Sequence, residues 1–110
     1  MTSLSTHVLD TAAGKPAVGM GITLLHDDRV LYSGVTDSDG RCAGLQDIDV
    51  SAGAYVLRFD VATYFLAHGQ NLPDPPFLDV VQIDFGMTDN GHYHVPLLVS
   101  PFGYSTYRGS

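Results

Sequence analysis

His92-Tyr93-His94-Val95-Pro96-Leu97-Leu98-Val99 is the stretch that decides the architecture, because its two faces differ in character. Side chains alternate across an extended strand, so Tyr93, Val95, Leu97 and Val99 form an apolar face suited to a core. His92, His94, Pro96 and Leu98 then point the other way, which leaves two imidazoles on the solvent side. Proline cannot donate to a ladder, so Pro96 predicts an edge or bulge position for this strand rather than a central one.

The same short, punctuated pattern extends outward in both directions. Gly103 to Tyr107 reads as a final strand, and Met87-Thr88-Asp89-Asn90-Gly91 as the turn that precedes His92. Val80 to Phe85 and Gly53 to Asp60 read as strands, the latter with Tyr55, Leu57 and Phe59 alternating against Val56 and Arg58. Between them, Val61 to His68 reads as a short helix and Asn71-Leu72-Pro73-Asp74-Pro75-Pro76 as an irregular loop, because proline removes donors and restricts its predecessor. Nearer the start, Gly19 to His26 and Val30 to Gly34 flank Asp27-Asp28-Arg29, and Thr36-Asp37-Ser38-Asp39-Gly40 has turn chemistry just before Arg41. Leu4 to Asp10 is the first strand, with Ser5, His7 and Leu9 on one face, and Ala12 to Pro16 turns the chain. Turn signals near every ten residues favour an all-β sandwich.

Composition sets the outer limits. A chain of 110 residues with 45% hydrophobic content suits a single domain spanning 1–110. Its net charge of −7, from five Lys and Arg against twelve Asp and Glu, argues against nucleic acid as a partner, since phosphate binding needs clustered cations. The single cysteine, Cys42, allows no intrachain disulfide, and with no signal-peptide pattern or long apolar run the expected compartment is the cytoplasm, away from any membrane.

Individually the chemistry-bearing residues are ambiguous. A His-x-His strand is compatible with a surface strand carrying incidental histidines, and with zinc or copper binding if His7 supplies a third ligand. A conventional zinc site wants more protein ligands than this pattern offers, so neither metal nor other cofactor is expected. Arg41 reads either as a solvated strand end paired with a neighbour such as Asp39 or as a planar cation that holds an electron-rich carbonyl. No phosphate loop, Gly-x-Ser-x-Gly elbow or carboxylate pair is present, and His26 and His68 fit turn and helix-end roles.

Taken together, several blocks resemble those of 5-hydroxyisourate hydrolases in the transthyretin-like family. They are His7-Val8-Leu9-Asp10-Thr11 with Gly14 and Pro16-Ala17; Thr36-Asp37 with Asp39-Gly40-Arg41; His92 to Leu98; and the ending Tyr107-Arg108-Gly109-Ser110. The likeness runs almost end to end, and the Tyr-Arg-Gly-Ser ending is the block that separates the hydrolases from the hormone carrier transthyretin. It departs from the family pattern at Pro75 to Asp79, away from the chemistry-bearing blocks.

The resemblance implies an all-β, transthyretin-like sandwich of two sheets and about eight strands with one short helix, assembled as a homotetramer, a dimer of dimers. It implies hydrolysis of the small molecule 5-hydroxyisourate in urate catabolism, with His7, Arg41 and His94 as catalytic residues and Tyr107 and Ser110 joining them in substrate binding. The alternative it leaves open is a non-catalytic carrier using the same central channel.

Overall fold

In a computed structural model, described for residues 2–88 and 91–109, two four-stranded sheets face one another across a shared apolar core. The elements run β1 (Ser3–Asp10), β2 (Lys15–Pro16), β3 (Gly21–His26), β4 (Arg29–Val35), a 3-10 turn (Ala43–Asp47), β5 (Gly53–Asp60), α1 (Val61–Ala67), β6 (Val80–Met87), β7 (His92–Ser100) and β8 (Gly103–Thr106). One sheet has the order β2-β1-β7-β8 and the other β4-β3-β5-β6. This is the eight-stranded sandwich with a short helix expected from the sequence. Two elements went unread there, the pairing of Lys15–Pro16 with β1 and the 3-10 turn after Arg41.

Alternation sorts the first sheet cleanly. β1 and β7 pair in parallel, with Leu4 opposite Tyr93, Thr6 opposite Val95, Val8 opposite Leu97 and Asp10 opposite Val99, and all eight are buried. On the reverse face the same register sets Ser3 beside His92, Ser5 beside His94 and His7 beside Pro96. The second sheet contributes Ile22, Leu24, Leu57 and Phe59 to the core, each nearly inaccessible to solvent. The β3–β4 hairpin closes through Asp27 and Asp28, both at positive φ, as a two-residue loop that follows the strand twist demands.

Of the edge or bulge position expected for Pro96, the edge is corrected, for β7 lies between β1 and β8. The β8 ladder begins only at Leu97, and the next backbone pairing on that side is His94 with Gly109. Pro96 therefore sits in a local gap of an otherwise central strand, where its carbonyl accepts from the Thr106 hydroxyl at 2.7 Å and no ladder donor is required of it.

The helix follows β5 directly. Its weak formers are offset by burial of Val61, Ala62, Tyr64 and Phe65, a spacing that turns one side of the helix to the core. His68 donates from Nδ1 to the Tyr64 carbonyl at 2.9 Å and stacks on the Tyr64 ring, the helix-end role its position suggested. Tyr64 in turn donates its hydroxyl to Oδ2 of buried Asp10 at 2.7 Å, while Asp10 Oδ1 accepts from Ala13 N. Burial, reinforced by Asp10, pushes the Tyr64 phenol well above its ordinary range, so it stays a donor. Tyr64→Phe should cost about 1.5–3 kcal/mol in urea unfolding, because it strands a buried carboxyl oxygen; a loss below about 0.5 kcal/mol would count against this account. Among the described residues, no helix is long and apolar enough to cross a membrane.

Candidate active site

Three of the residues singled out in the sequence converge on the outer face of the first sheet. His7 lies on β1 and pairs through its backbone with Arg41, which follows the Asp37–Gly40 turn. That turn is fastened at both ends. Buried Thr36 donates to the Ala17 carbonyl at 2.7 Å and accepts from Met20 N, and Val8 N donates to the Gly40 carbonyl at 2.8 Å. Asp37 Oδ1 accepts from the amides of Arg41 and Asp39, and those hydrogen bonds, Arg41's first, hold its carboxyl below the usual range.

Gly40 has φ +76°, and a Cβ there would stand 2.5 Å from the Val8 carbonyl oxygen. Only glycine lets the turn approach β1 closely enough to seat Arg41 beside His7. Among the described residues no carboxylate forms an ion pair with the Arg41 guanidinium, so the pairing with Asp39 that would have retired it structurally does not occur. Arg41 is exposed.

His94 approaches from β7. Its ring is half-buried, its Nδ1 lies 2.8 Å from Ser5 Oγ, and its carbonyl accepts from Gly109 N at 2.7 Å. Burial lowers the His94 pKa below the ordinary imidazole value, and the charges of Arg41, His7 and His92 lower it further. The ring is therefore neutral near pH 7, with its lone pair available. His92, the other imidazole of the pair, is exposed and bonded to serines on both sides, Ser3 Oγ at 2.6 Å and Ser5 Oγ at 2.9 Å.

Tyr107 is placed differently. It is 60% exposed and lines a cleft between the sheets with Ile83, Phe85, Tyr93 and Arg108. No hydrogen bond among the described residues joins it to the imidazoles. Ser110 lies outside the described residues. A broader concavity over the second sheet, lined by Tyr55, Arg58, Gln82 and Asp84 among others, carries a surface ladder from Arg58 through Gln82 to Asp84 and no histidine.

Two contributors were invisible to sequence reasoning. Ser5 was legible only as a residue on the same face as His7; its contact with both imidazoles depends on a parallel pairing across 89 positions. Gly109 was read only as part of the terminal block, yet it abuts His94 so closely that a Cβ would fall 2.6 Å from the ring Cδ2. Arg108 helps seat it there by placing its guanidinium 4.0 Å from the centre of the Tyr93 ring. Among the described residues no three imidazole, thiolate or carboxylate groups converge as a metal-binding cluster.

Comparison with known proteins gives a consistent result. A family model described as the HIUase/Transthyretin family matches residues 4–109. The 5-hydroxyisourate hydrolase of Caulobacter vibrioides is 49% identical, with both chains covered in full. The solved 5-hydroxyisourate hydrolase of Klebsiella pneumoniae superposes with TM-score 0.87 at 36% identity, covering 100% of this chain and 94% of that one. Sea bream transthyretin in complex with thyroxine superposes with TM-score 0.84 at 30% identity, covering 97% and 94%.

Proposed function

The chain belongs to the HIUase/transthyretin family, and on that premise we propose that it hydrolyses 5-hydroxyisourate to 2-oxo-4-hydroxy-4-carboxy-5-ureidoimidazoline in urate catabolism. The observation that carries the reading is a half-buried His94, its pKa held below the ordinary imidazole value first by burial, on one face with His7 and an exposed Arg41 that has no carboxylate ion-pair partner among the described residues. A cyclic amide carbonyl is a weak electrophile, so its hydrolysis needs a base for water, a donor for the oxyanion and a proton for the departing nitrogen. His94 takes the proton as the water oxygen bonds to the carbonyl carbon, and Arg41 fixes the heterocycle and balances charge developing on oxygen. The proton passes from His94 to the departing nitrogen as the C–N bond breaks, with His7 as the second imidazole orienting water.

Tyr107 and Ser110 complete substrate binding in this reading, and the whole span 1–110 acts as a single hydrolase domain without a cofactor. The face bearing His94 is open in one subunit, and the edge strand β8 is exposed along its length with Phe102 and Tyr104. Both features support a homotetramer, a dimer of dimers, in which neighbouring subunits close the pocket. A single buried, free Cys42 fits the cytoplasm. The carrier alternative draws on fold alone, whereas the two imidazoles and the guanidinium each have a task in hydrolysis.

The test generates 5-hydroxyisourate in situ from urate and follows its ultraviolet decay above the spontaneous rate. Wild type accelerates the decay, and kcat/KM falls as pH drops and His94 takes up a proton. Because its folded pKa is depressed, the midpoint of that acid limb lies below the ordinary 6.5. A well-folded protein with no acceleration would sink the hydrolase reading, and an acid limb centred above 6.5 would remove His94 as the base.

A further inference from the structure

The serines of β1 form a hydrogen-bonded row with the histidines of β7 that the mechanism above leaves unused. It runs from Ser3 Oγ to His92 Nδ1 at 2.6 Å, from His92 Nε2 to Ser5 Oγ at 2.9 Å, and from Ser5 Oγ to His94 Nδ1 at 2.8 Å. Ser5 is only 4% exposed, so water does not substitute for its partners. A hydroxyl has one proton and two lone pairs, and Ser5 faces two ring nitrogens. If it donates to one ring it must accept from the other, which ties the tautomers of His92 and His94 together.

We infer that Ser5 is a positioning residue for the hydrolysis, its hydroxyl donating to His92 Nε2 and accepting from His94 Nδ1–H, so that the His94 Nε2 lone pair faces the substrate pocket. The inference rests on the hydrolase reading for its catalytic meaning. The opposite arrangement would put the proton on Nε2, the nitrogen of the His94 ring that Ser5 does not engage, and leave no base there. It would also turn an N–H toward Arg41, the cation whose field acts most strongly on this ring among the described residues. In the inferred arrangement His92 Nδ1–H donates to Ser3, so three of the four ring nitrogens are hydrogen-bonded within the row and His94 Nε2 is left for the substrate pocket. The hydrogen bond made by one imidazole nitrogen sets what the other can do, and a neighbour of this kind supports a reactive histidine without touching substrate.

The experiment compares wild type, Ser5→Ala, Ser5→Thr and His92→Phe by steady-state kinetics and by nitrogen NMR of the histidine rings in the intact protein. In wild type His94 carries its proton on Nδ1, and in Ser5→Ala the proton moves to Nε2. Ser5→Ala should lower kcat about 10- to 100-fold with KM within about threefold, while Ser5→Thr, which keeps the hydroxyl, stays within about fivefold of wild type. His92→Phe, which leaves Ser5 without its acceptor, should shift the His94 tautomer in the same direction as Ser5→Ala. The same His94 tautomer in wild type and Ser5→Ala would overturn the inference, as would loss of activity in a folded Ser5→Thr. Should wild type not open the 5-hydroxyisourate ring at all, the functional reading fails, and the NMR comparison still decides whether Ser5 sets the tautomer.

Discussion

His94→Asn should leave a folded protein that has lost about 100- to 10,000-fold in kcat/KM toward 5-hydroxyisourate, the usual contribution of a positioned base. A hundredfold loss corresponds to about 2.7 kcal/mol of transition-state stabilisation. Asparagine is chosen because its side-chain amide still reaches Ser5, so the strand pairing is kept while the titrating nitrogen is gone. The ring contributes little to the core, being half-buried on the outer face, and the thermal midpoint should stay within about 3 °C of wild type. Activity within threefold of wild type would move the base assignment to His7.

Gly109→Ala is the second substitution with a large expected effect, and it acts without removing any polar group. The new methyl would sit 2.6 Å from His94 Cδ2, closer than real carbon contacts come, and 3.2 Å from Cγ, which is also tight. Either the imidazole rotates away from Ser5 or the hydrogen bond from Gly109 N to the His94 carbonyl breaks. Displacing a reacting group by about 1 Å commonly costs a factor of about 100, and that is the loss expected in kcat/KM. Stability should change little, because residues 107–109 are largely at the surface. If Gly109→Ala keeps full activity with its fold intact, the close approach to His94 has no bearing on chemistry.

Much of this site was legible in the sequence, and the reasons are specific. Period-two alternation placed Tyr93, Val95, Leu97 and Val99 inside and both histidines outside, because a half-buried strand leaves no other arrangement. The polar turn ending in Gly40 announced a sharp reversal just before Arg41, and the positive φ found there is the physical content of that signal. Strand positions were read to within two residues at most ends, for example Gly53–Asp60 without error.

What escaped were relations between distant segments. Nothing in the local pattern of Ser3 and Ser5 says that they will lie beside His92 and His94, because a parallel pairing is fixed by the whole sandwich rather than by a turn. The edge position expected for Pro96 fails for the same reason: its strand is central, and the gap between the β8 ladder and Gly109, an irregularity of the kind a proline also suits, makes a missing donor harmless. Tyr107 shows the limit from the other side, since a resemblance attaches it to the site while the geometry of the single chain sends it to a cleft between the sheets.

The parallel alignment of β1 with β7 also governs when the site comes into being. A ribosome releases His7 and Arg41 early, but their partner strand emerges some ninety positions after the first serines. Loop closure over that span comes late on a folding route, since its entropy must be met before the contact repays it. On the proposed reading a nascent chain therefore passes most of its synthesis with half a site, which is complete only when β1 and β7 have paired.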